Sequence, residues 1–197
     1  MLKKLNKNLK EKILGQDEII NSICAYTRKI YFGFKKDKPY SFLFVGPTGV
    51  GKTLFVKEYA TSLYGSDNFI RIDMSEYKEE YSISKLLGSA PGYVGYREDN
   101  TVMEKIRNHP NCVILLDEIE KASPAVIKVF LQALDEGVVH DAVGRSISFK
   151  NAIIFMTSNL GCNNSSIGFM DDNSLNQSLK DFLSVEFLNR IDIVFTF

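Results

Sequence analysis

The chain has 197 residues, of which 45% are hydrophobic and 24% are charged, and its formal net charge is zero. This length and composition are typical of a globular domain with one substantial core. The balanced charge gives no support to a nucleic-acid or anionic-membrane surface, and no segment approaches the roughly 20 apolar residues that span a bilayer.

The first predicted elements are a helix, a strand, a helix and a second strand. The first helix is expected to have Asp17 as its cap and to end before Gly33, because apolar residues recur at helical spacing at Ile19, Ile23, Tyr26 and Ile30. A buried strand follows at 41–45, then a glycine-rich turn and a helix from about Gly51. The second strand is predicted at 69–73.

The second half of the chain continues the alternation. A short helix is predicted at 102–108, a strand at 113–117, a helix from Pro124 to Gly137, a hairpin at 140–148 and a strand at 152–157. A polar loop at 161–177 leads into a helix containing Phe182, and a fifth strand is predicted at 191–195. Apolar strands that alternate with helices predict an α/β fold, a parallel sheet with helices on both faces.

A phosphate-binding loop is predicted at 46–53, where the sequence GPTGVGKT fits the pattern GxxxxGK[ST] in full. Its glycines allow successive backbone N–H groups to face the phosphates of ATP, next to a helix N-terminus. We expect Lys52 to reach the β- and γ-phosphates and the Thr53 hydroxyl to bind Mg²⁺. The nucleotide-binding residues of the loop are Gly46, Pro47, Thr48, Gly49, Val50, Gly51, Lys52 and Thr53.

A second part of the site is predicted where the strand at 113–117 ends in two carboxylates. Asp117 is expected to hold Mg²⁺ through its water shell, and Glu118 to orient and polarise the attacking water. The alternative is an ordinary acidic loop with solvated carboxylates.

Several runs, in the same order along the chain, resemble the second ATPase module of Clp-type AAA+ unfoldases. They include ILGQDE at 13–18, GPTGVGKT, RIDMSEY at 71–77, PGYVGY at 91–96, LDEIEKA at 116–122, MTSN at 156–159 and EFLNRID at 186–192. The resemblance implies a P-loop NTPase (AAA+) three-layer fold with five parallel strands. The Walker A strand would be central, and the strand at 152–157 would lie between the Walker A and Walker B strands. Residues 1–197 would form the large nucleotide-binding subdomain, with the small helical subdomain and its sensor-2 arginine absent.

The resemblance also assigns residues beyond the two motifs. It implies that Asn159 is the sensor near the γ-phosphate and that Arg190 is an arginine finger acting on the nucleotide of a neighbouring subunit. It further implies that Ile13 and Leu14 cover the adenine. The alternatives are a surface salt bridge between Arg190 and Asp192 and simple core packing for the apolar pair.

Two loops are assigned to macromolecular partners by the same resemblance. The pore loop that grips substrate would be Gly92, Tyr93, Val94 and Gly95, and its aromatic side chain suits an unfolded polypeptide of any sequence. A loop that docks on a ClpP-type peptidase would be Ile167, Gly168 and Phe169. The alternatives are a tyrosine packed in a tight turn and a loop anchored on its own domain.

The resemblance therefore implies an ATPase module of a homo-oligomeric ring, expected to be a hexamer, that threads unfolded or tagged proteins into a ClpP-type peptidase. The alternatives are a ClpB-type disaggregase without a peptidase, a AAA+ machine acting on nucleic acid and a non-hydrolysing assembly module. The segment before RIDMSEY looks more like ClpC than ClpA. Departures from the family pattern are Arg97–Asn100 after the pore loop and Val185 in place of a proline.

The compartment is predicted from the N-terminus and the cysteines. The start of the chain has no uninterrupted apolar region of a secretory signal. The three cysteines, Cys24, Cys112 and Cys162, are widely spaced, which favours reduced thiols. We expect a bacterial cytoplasm, or a plastid-type stroma if the source is eukaryotic.

Overall fold

The structure, a computed structural model, describes residues 2–33, 36–88, 101–160 and 182–197. These residues contain the strands β1 (Tyr40–Val45), β2 (Phe69–Asp73), β3 (Val113–Asp117), β4 (Val138–His140), β5 (Ser146–Ser148), β6 (Ile153–Ser158) and β7 (Ile193–Thr196). Strands β4 and β5 pair as an antiparallel hairpin, as predicted. The other five form one sheet in the order β2-β3-β6-β1-β7, with every neighbouring pair parallel. The predicted five-stranded parallel sheet is therefore confirmed.

The sheet is buried on both faces, which explains why its strands are continuously apolar. All six residues of β1 are buried. Because side chains alternate between faces along a strand, Leu43 and Val45 join one core cluster and Phe42 and Phe44 join the other.

Helices cover these two faces. The helices in the described residues are α1 (Leu2–Lys12), α2 (Asp17–Tyr31), α3 (Lys52–Tyr64), α4 (Ile83–Leu87), α5 (Val102–Asn108), α6 (Pro124–Glu136) and α7 (Val185–Leu188). Helices α1, α2 and α3 contribute Leu5, Ile20 and Phe55 to the core on the phenylalanine side. Helices α5 and α6 contribute Ile106 and Phe130 to the opposite core. The three-layer arrangement matches the predicted fold class.

The N-terminal helices differ from the prediction in two respects. Helix α1 was not predicted, because its apolar positions are few and separated by lysine and asparagine, yet Leu5 and Leu9 are 2% and 0% exposed. Asp17 is the first residue of α2 and makes no capping hydrogen bond, so its prediction as the cap is wrong. Its carboxylate lies 2.6 Å from Lys10 Nζ instead.

The order of the strands corrects one expectation and confirms another. Strand β6 is the middle strand, and β1, which leads into the phosphate loop, is the fourth of the five. The expectation of a central Walker A strand is therefore wrong, because among the strands of the described residues β6, β3 and β2 lie on one side of β1 and only β7 lies on its other side. The expectation that the strand near 152–157 lies between the strands of the two motifs is confirmed.

Candidate nucleotide site

The carboxyl ends of four parallel strands meet at one edge of the sheet and supply the site. In the register of the sheet, Val45 of β1 is opposite Ser158 of β6, and Asp73 of β2 is opposite Asp117 of β3. Residues that follow these positions in each strand are therefore brought together although they are far apart in sequence.

The loop between β1 and α3 curls through left-handed glycine conformations. Gly49 has a φ of 86° and Gly51 a φ of 97°, values that side-chain-bearing residues rarely adopt. Gly51 stands at the N-cap of α3, so the loop passes directly into a helix N-terminus. The curled backbone and the helix dipole together favour an anion at this position.

Lys52 is 6% exposed and points back into the loop. Its Nζ donates to the carbonyl oxygens of Gly46 at 2.5 Å and Pro47 at 2.8 Å, and to Asn159 Oδ1 at 2.9 Å. The ammonium group is therefore held at the mouth of the loop by oxygen acceptors that a phosphate can replace.

The Asp117 carboxylate, on a residue that is 6% exposed, accepts hydrogen bonds from three side chains. Thr157 Oγ1 donates to Oδ1 at 2.6 Å, and Thr53 Oγ1 lies 3.1 Å from Oδ1 and 3.2 Å from Oδ2. Arg71 Nε and Nη2 lie 2.9 and 2.8 Å from Oδ2. The hydroxyl of Thr53 and the carboxylate of Asp117 are thus in contact, and their shared role in binding Mg²⁺ stays a prediction.

Glu118 has an unusual backbone conformation that aims its side chain into the site. Its φ is 57° and its ψ 56°, and among the described residues it is the one non-glycine residue with a positive φ. Such strain persists only where neighbouring groups hold it, and it clusters at functional sites. Here the Glu118 N–H donates to Thr157 Oγ1 at 2.9 Å.

The Asn159 side chain connects the phosphate loop to Glu118. Its Oδ1 accepts from Lys52 at 2.9 Å, and its Nδ2 lies 3.3 Å from Glu118 Oε1. The opposite orientation of the amide would place Nδ2 against an ammonium group and Oδ1 against a carboxylate. The network therefore defines which end of the amide faces which partner.

These side chains surround a single cavity of about 370 Å³ at the edge of the sheet. This volume falls within the usual range of small-ligand sites. The cavity is lined by Thr48, Gly49, Gly51, Lys52, Thr53, Leu54, Arg71, Asp73, Asp117, Glu118, Thr157 and Asn159. Five of the eight predicted loop residues, both predicted carboxylates and the predicted sensor Asn159 thus lie around one space, whereas Gly46, Pro47 and Val50 lie outside its lining.

The two residues predicted to cover the adenine lie outside this lining. Ile13 is half-buried against the N-terminal helices, whereas Leu14 is 88% exposed. Core packing therefore explains Ile13 and does not explain Leu14.

Arg190 also lies outside the lining of the cavity. Its Nε and Nη2 donate to Asp135 Oδ1 and Oδ2 of α6 at 2.7 and 3.2 Å. The hydrogen bond and charge of Asp135 raise the pKa of Arg190. The alternative of a salt bridge to Asp192 is wrong, because the Asp192 carboxylate pairs with Lys36 and with the backbone N–H of Ser41.

Two groups of predicted residues fall outside the described part of the chain. They are the pore loop, Gly92, Tyr93, Val94 and Gly95, and the docking loop, Ile167, Gly168 and Phe169. Both assignments stay predictions, as does any effect of Arg97–Asn100.

The sequence interpretation missed the roles of Arg71 and Thr157. Arg71 belongs to the RIDMSEY run and Thr157 to the MTSN run, and neither was given a function. Thr157 could have been found, because it ends a predicted parallel strand, whereas Arg71 lies in the middle of its strand and gave no such signal. Nearby Asp73 also lines the cavity, and its hydrogen bonds with Ser75 lower its pKa.

Comparisons with known proteins agree with this geometry. The family model described as AAA domain (Cdc48 subfamily) matches residues 37–194. The chain is 47% identical to the ATP-dependent Clp protease ATP-binding subunit ClpE of Streptococcus pneumoniae, over 98% of this chain and 27% of the relative. It is 45% identical to the chaperone protein ClpB of Clostridium tetani, over 100% of this chain and 24% of the relative.

A solved structure shows the same fold. The closed-state cryo-electron microscopy reconstruction of Hsp104 with ATPγS and FITC casein superposes with a TM-score of 0.90 at 37% identity, over 100% of this chain and 35% of that one. The chain thus spans about a quarter to a third of the length of these relatives. No helix in the described residues is long and apolar enough to cross a membrane.

Proposed function

The chain belongs to the family of AAA domains (Cdc48 subfamily), within the Clp-type AAA+ ATPases, and we propose that it is the ATP-hydrolysing module of a ring-forming protein unfoldase. The observation that carries the proposal is the convergence of Lys52, Thr53, Asp117, Glu118 and Asn159 on one cavity. These side chains are the ones that phosphoryl transfer to water requires.

The oxygen donors of Thr53 and Asp117 fit Mg²⁺, a hard cation that prefers hydroxyl, carboxylate and water ligands. Their oxygens lie 3.1–3.2 Å apart, so both can face one ion or its hydration shell. When bound, Mg²⁺ would neutralise charge that develops on the β- and γ-phosphates.

The protein's own side chains position the phosphates and the attacking water, and Glu118 accepts a proton from that water. The Lys52 ammonium exchanges its loop carbonyl acceptors for phosphate oxygens. The Glu118 carboxylate, aimed by its left-handed backbone and by Thr157, polarises the attacking water. Asn159 contacts both Lys52 and Glu118. When Lys52 binds a phosphate, Asn159 loses its hydrogen bond from Lys52, and the side chain that holds Glu118 in place becomes free to move.

The first test compares nucleotide binding with turnover. Glu118→Gln is expected to bind ATP and to lose hydrolysis, whereas Lys52→Ala loses both. Glu136→Gln, an exposed carboxylate on α6 that contacts Gln132, serves as the matched control. Full hydrolysis by Glu118→Gln would refute the assignment of Glu118.

The second test concerns the ring. If Arg190 completes the site of a neighbour, mixing Arg190→Ala with Glu118→Gln restores part of the hydrolysis, because some interfaces combine an intact site with an intact arginine. Mixing Lys52→Ala with Glu118→Gln gives no such rescue, since both changes disable the same side of the interface. No rescue in the first mixture would contradict action in trans.

We further propose that the ring, expected to be a hexamer, threads unfolded or tagged proteins past Tyr93 and delivers them to a ClpP-type peptidase through Phe169. Similarity to a Clp protease ATP-binding subunit supports this coupling. Tyr93→Ala is expected to keep hydrolysis and lose unfolding of a tagged substrate, and Phe169→Ala to lose co-elution with the peptidase. A bacterial cytoplasm, or a plastid-type stroma, suits this activity.

A disaggregase without a peptidase is the second candidate, supported by the similarity to ClpB and to Hsp104. Co-elution with a ClpP-type peptidase separates the two candidates, because only the first requires it. The relatives named above are ClpE and ClpB, so the resemblance to ClpC stays a prediction.

A further inference from the structure

Arg71 makes a cationic contact with Asp117. It lies on β2, and both Nε and Nη2 converge on a single carboxylate oxygen, Oδ2, at 2.9 and 2.8 Å. Its side chain is 51% exposed, whereas the side chain of Asp117 is 8% exposed. A nearly buried carboxylate is thus neutralised by a guanidinium group that reaches in from solvent.

The other acceptor positions of this carboxylate are also in use. Thr157 Oγ1 donates to Oδ1 at 2.6 Å, and Thr53 Oγ1 lies within 3.2 Å of both oxygens. A carboxylate offers about four lone-pair directions. A metal cation that binds the Asp117 oxygens therefore has to displace one of these hydrogen-bond partners. Thr157 is 1% exposed and has little room to leave. Arg71 is the partner that is both charged and accessible.

We propose that Arg71 is a positioning residue that neutralises Asp117 and competes with Mg²⁺ for that carboxylate, an inference that rests on the proposed function. An isolated buried carboxylate is costly, and Arg71 removes that cost while no metal is bound. A divalent ion at the same oxygens repels the guanidinium, so the two cations exclude one another.

The structure provides a place for the displaced side chain. Arg71 also lines a second cavity, of about 410 Å³, that lies beside the first. The second cavity contains Asp73 and Glu76, together with Lys85 and Lys105. The guanidinium group can therefore turn away from Asp117 towards other carboxylates without a rearrangement of the backbone.

The test measures the Mg²⁺ dependence of nucleotide binding in the 197-residue chain. A fluorescent methylanthraniloyl-ADP is titrated at a series of free Mg²⁺ concentrations, and in EDTA, for the unmodified chain and for Arg71→Gln. The Mg²⁺ concentration at half-maximal binding is expected to fall by about tenfold, the effect of one unit charge a few ångströms from a divalent ion in a water-like dielectric. Binding in EDTA is not expected to improve, because a cation near the phosphates is lost.

Lys105→Gln is the matched control, since it removes a cation from the second cavity and is expected to leave the Mg²⁺ midpoint within about twofold, as a more distant and screened charge should. Arg71→Lys, which keeps the charge and loses the paired donors, is expected to give a smaller decrease. It decides the question if circular dichroism shows that Arg71→Gln is unfolded.

An unchanged or higher Mg²⁺ midpoint in the folded Arg71 variants overturns the inference and leaves the proposed function intact. Equal weakening with and without Mg²⁺ also overturns it, because a merely structural role predicts that result. Failure of the unmodified chain to bind the nucleotide under any condition refutes the proposed function itself.

Discussion

Replacing Thr157 with valine tests how the site holds its two acidic residues. Valine has nearly the shape of threonine, so the change removes one hydroxyl and preserves the packing of a side chain that is 1% exposed. The hydroxyl donates to Asp117 Oδ1 at 2.6 Å and accepts from the Glu118 N–H at 2.9 Å. Both contacts are lost together.

The expected magnitude follows from the two lost hydrogen bonds. Loss of a hydrogen bond to a charged group, together with loss of the acceptor of the part-buried Glu118 N–H, would lower the free energy of unfolding by about 3 kcal/mol. The first contribution lies at the lower end of its range, because Asp117 retains Thr53 and Arg71 as donors. The second contribution is also about 1.5 kcal/mol, because the Glu118 N–H that loses its acceptor is only part-buried.

Turnover is expected to fall by about tenfold or more, since small misplacement of a catalytic group has effects of this order. Nucleotide affinity should change less, because Lys52 and the loop are untouched. Urea unfolding gives the stability, and a phosphate-release assay gives the turnover. Thr157→Ser is the control, since it keeps the hydroxyl and removes one methyl group, which costs about 1 kcal/mol. Wild-type stability and turnover in Thr157→Val, or a larger loss in Thr157→Ser, would refute the reasoning.

Three further predictions concern other parts of the chain. Gly137→Ala should lower the melting temperature sharply and leave nucleotide affinity unchanged below it, because φ is +69° and an added Cβ would lie 2.3 Å from the Asp37 carbonyl oxygen; unchanged melting would contradict this. Burial raises the pKa of Cys112 to about 12, so raising the pH from 7 to 9 should increase alkylation of Cys112 only in the urea-unfolded chain, as peptide mass spectrometry would show; rapid labelling of Cys112 in the folded chain would count against it. Asp135→Asn breaks an exposed ion pair, so the melting temperature should remain almost unchanged. The hydrolysis rate of assembled rings should change, because Arg190 is released from Asp135. An unchanged rate would show that this ion pair has no effect on hydrolysis.

The fold and the two phosphate-site motifs were predictable because their signals are local. Strands that are buried on both faces have to be continuously apolar, and the loop at 46–53 needs glycine at Gly49 and Gly51, where φ is positive. Helix α1 carried only a weak signal, since its three leucines recur at helical spacing but stand among lysines and asparagines, and Leu5 and Leu9 become buried only when α2 and α3 pack against them. The cap of α2 was predicted incorrectly because Asp17 was assigned without knowledge of its partner, Lys10.

The sequence by itself determined the kind of chemistry. Lys52 and Thr53 are recognised by their spacing in the phosphate-loop motif, and Asp117 and Glu118 by their position at the end of an apolar strand. Only the tertiary structure decided which residues hold those groups in place. Arg71 and Thr157 lie far from Asp117 along the chain and reach it through the register of β2, β3 and β6. The pairing of Arg190 with Asp135 likewise depends on how the segment before β7 packs against α6. Such contacts follow from the order and offset of strands, which no local pattern in the sequence encodes.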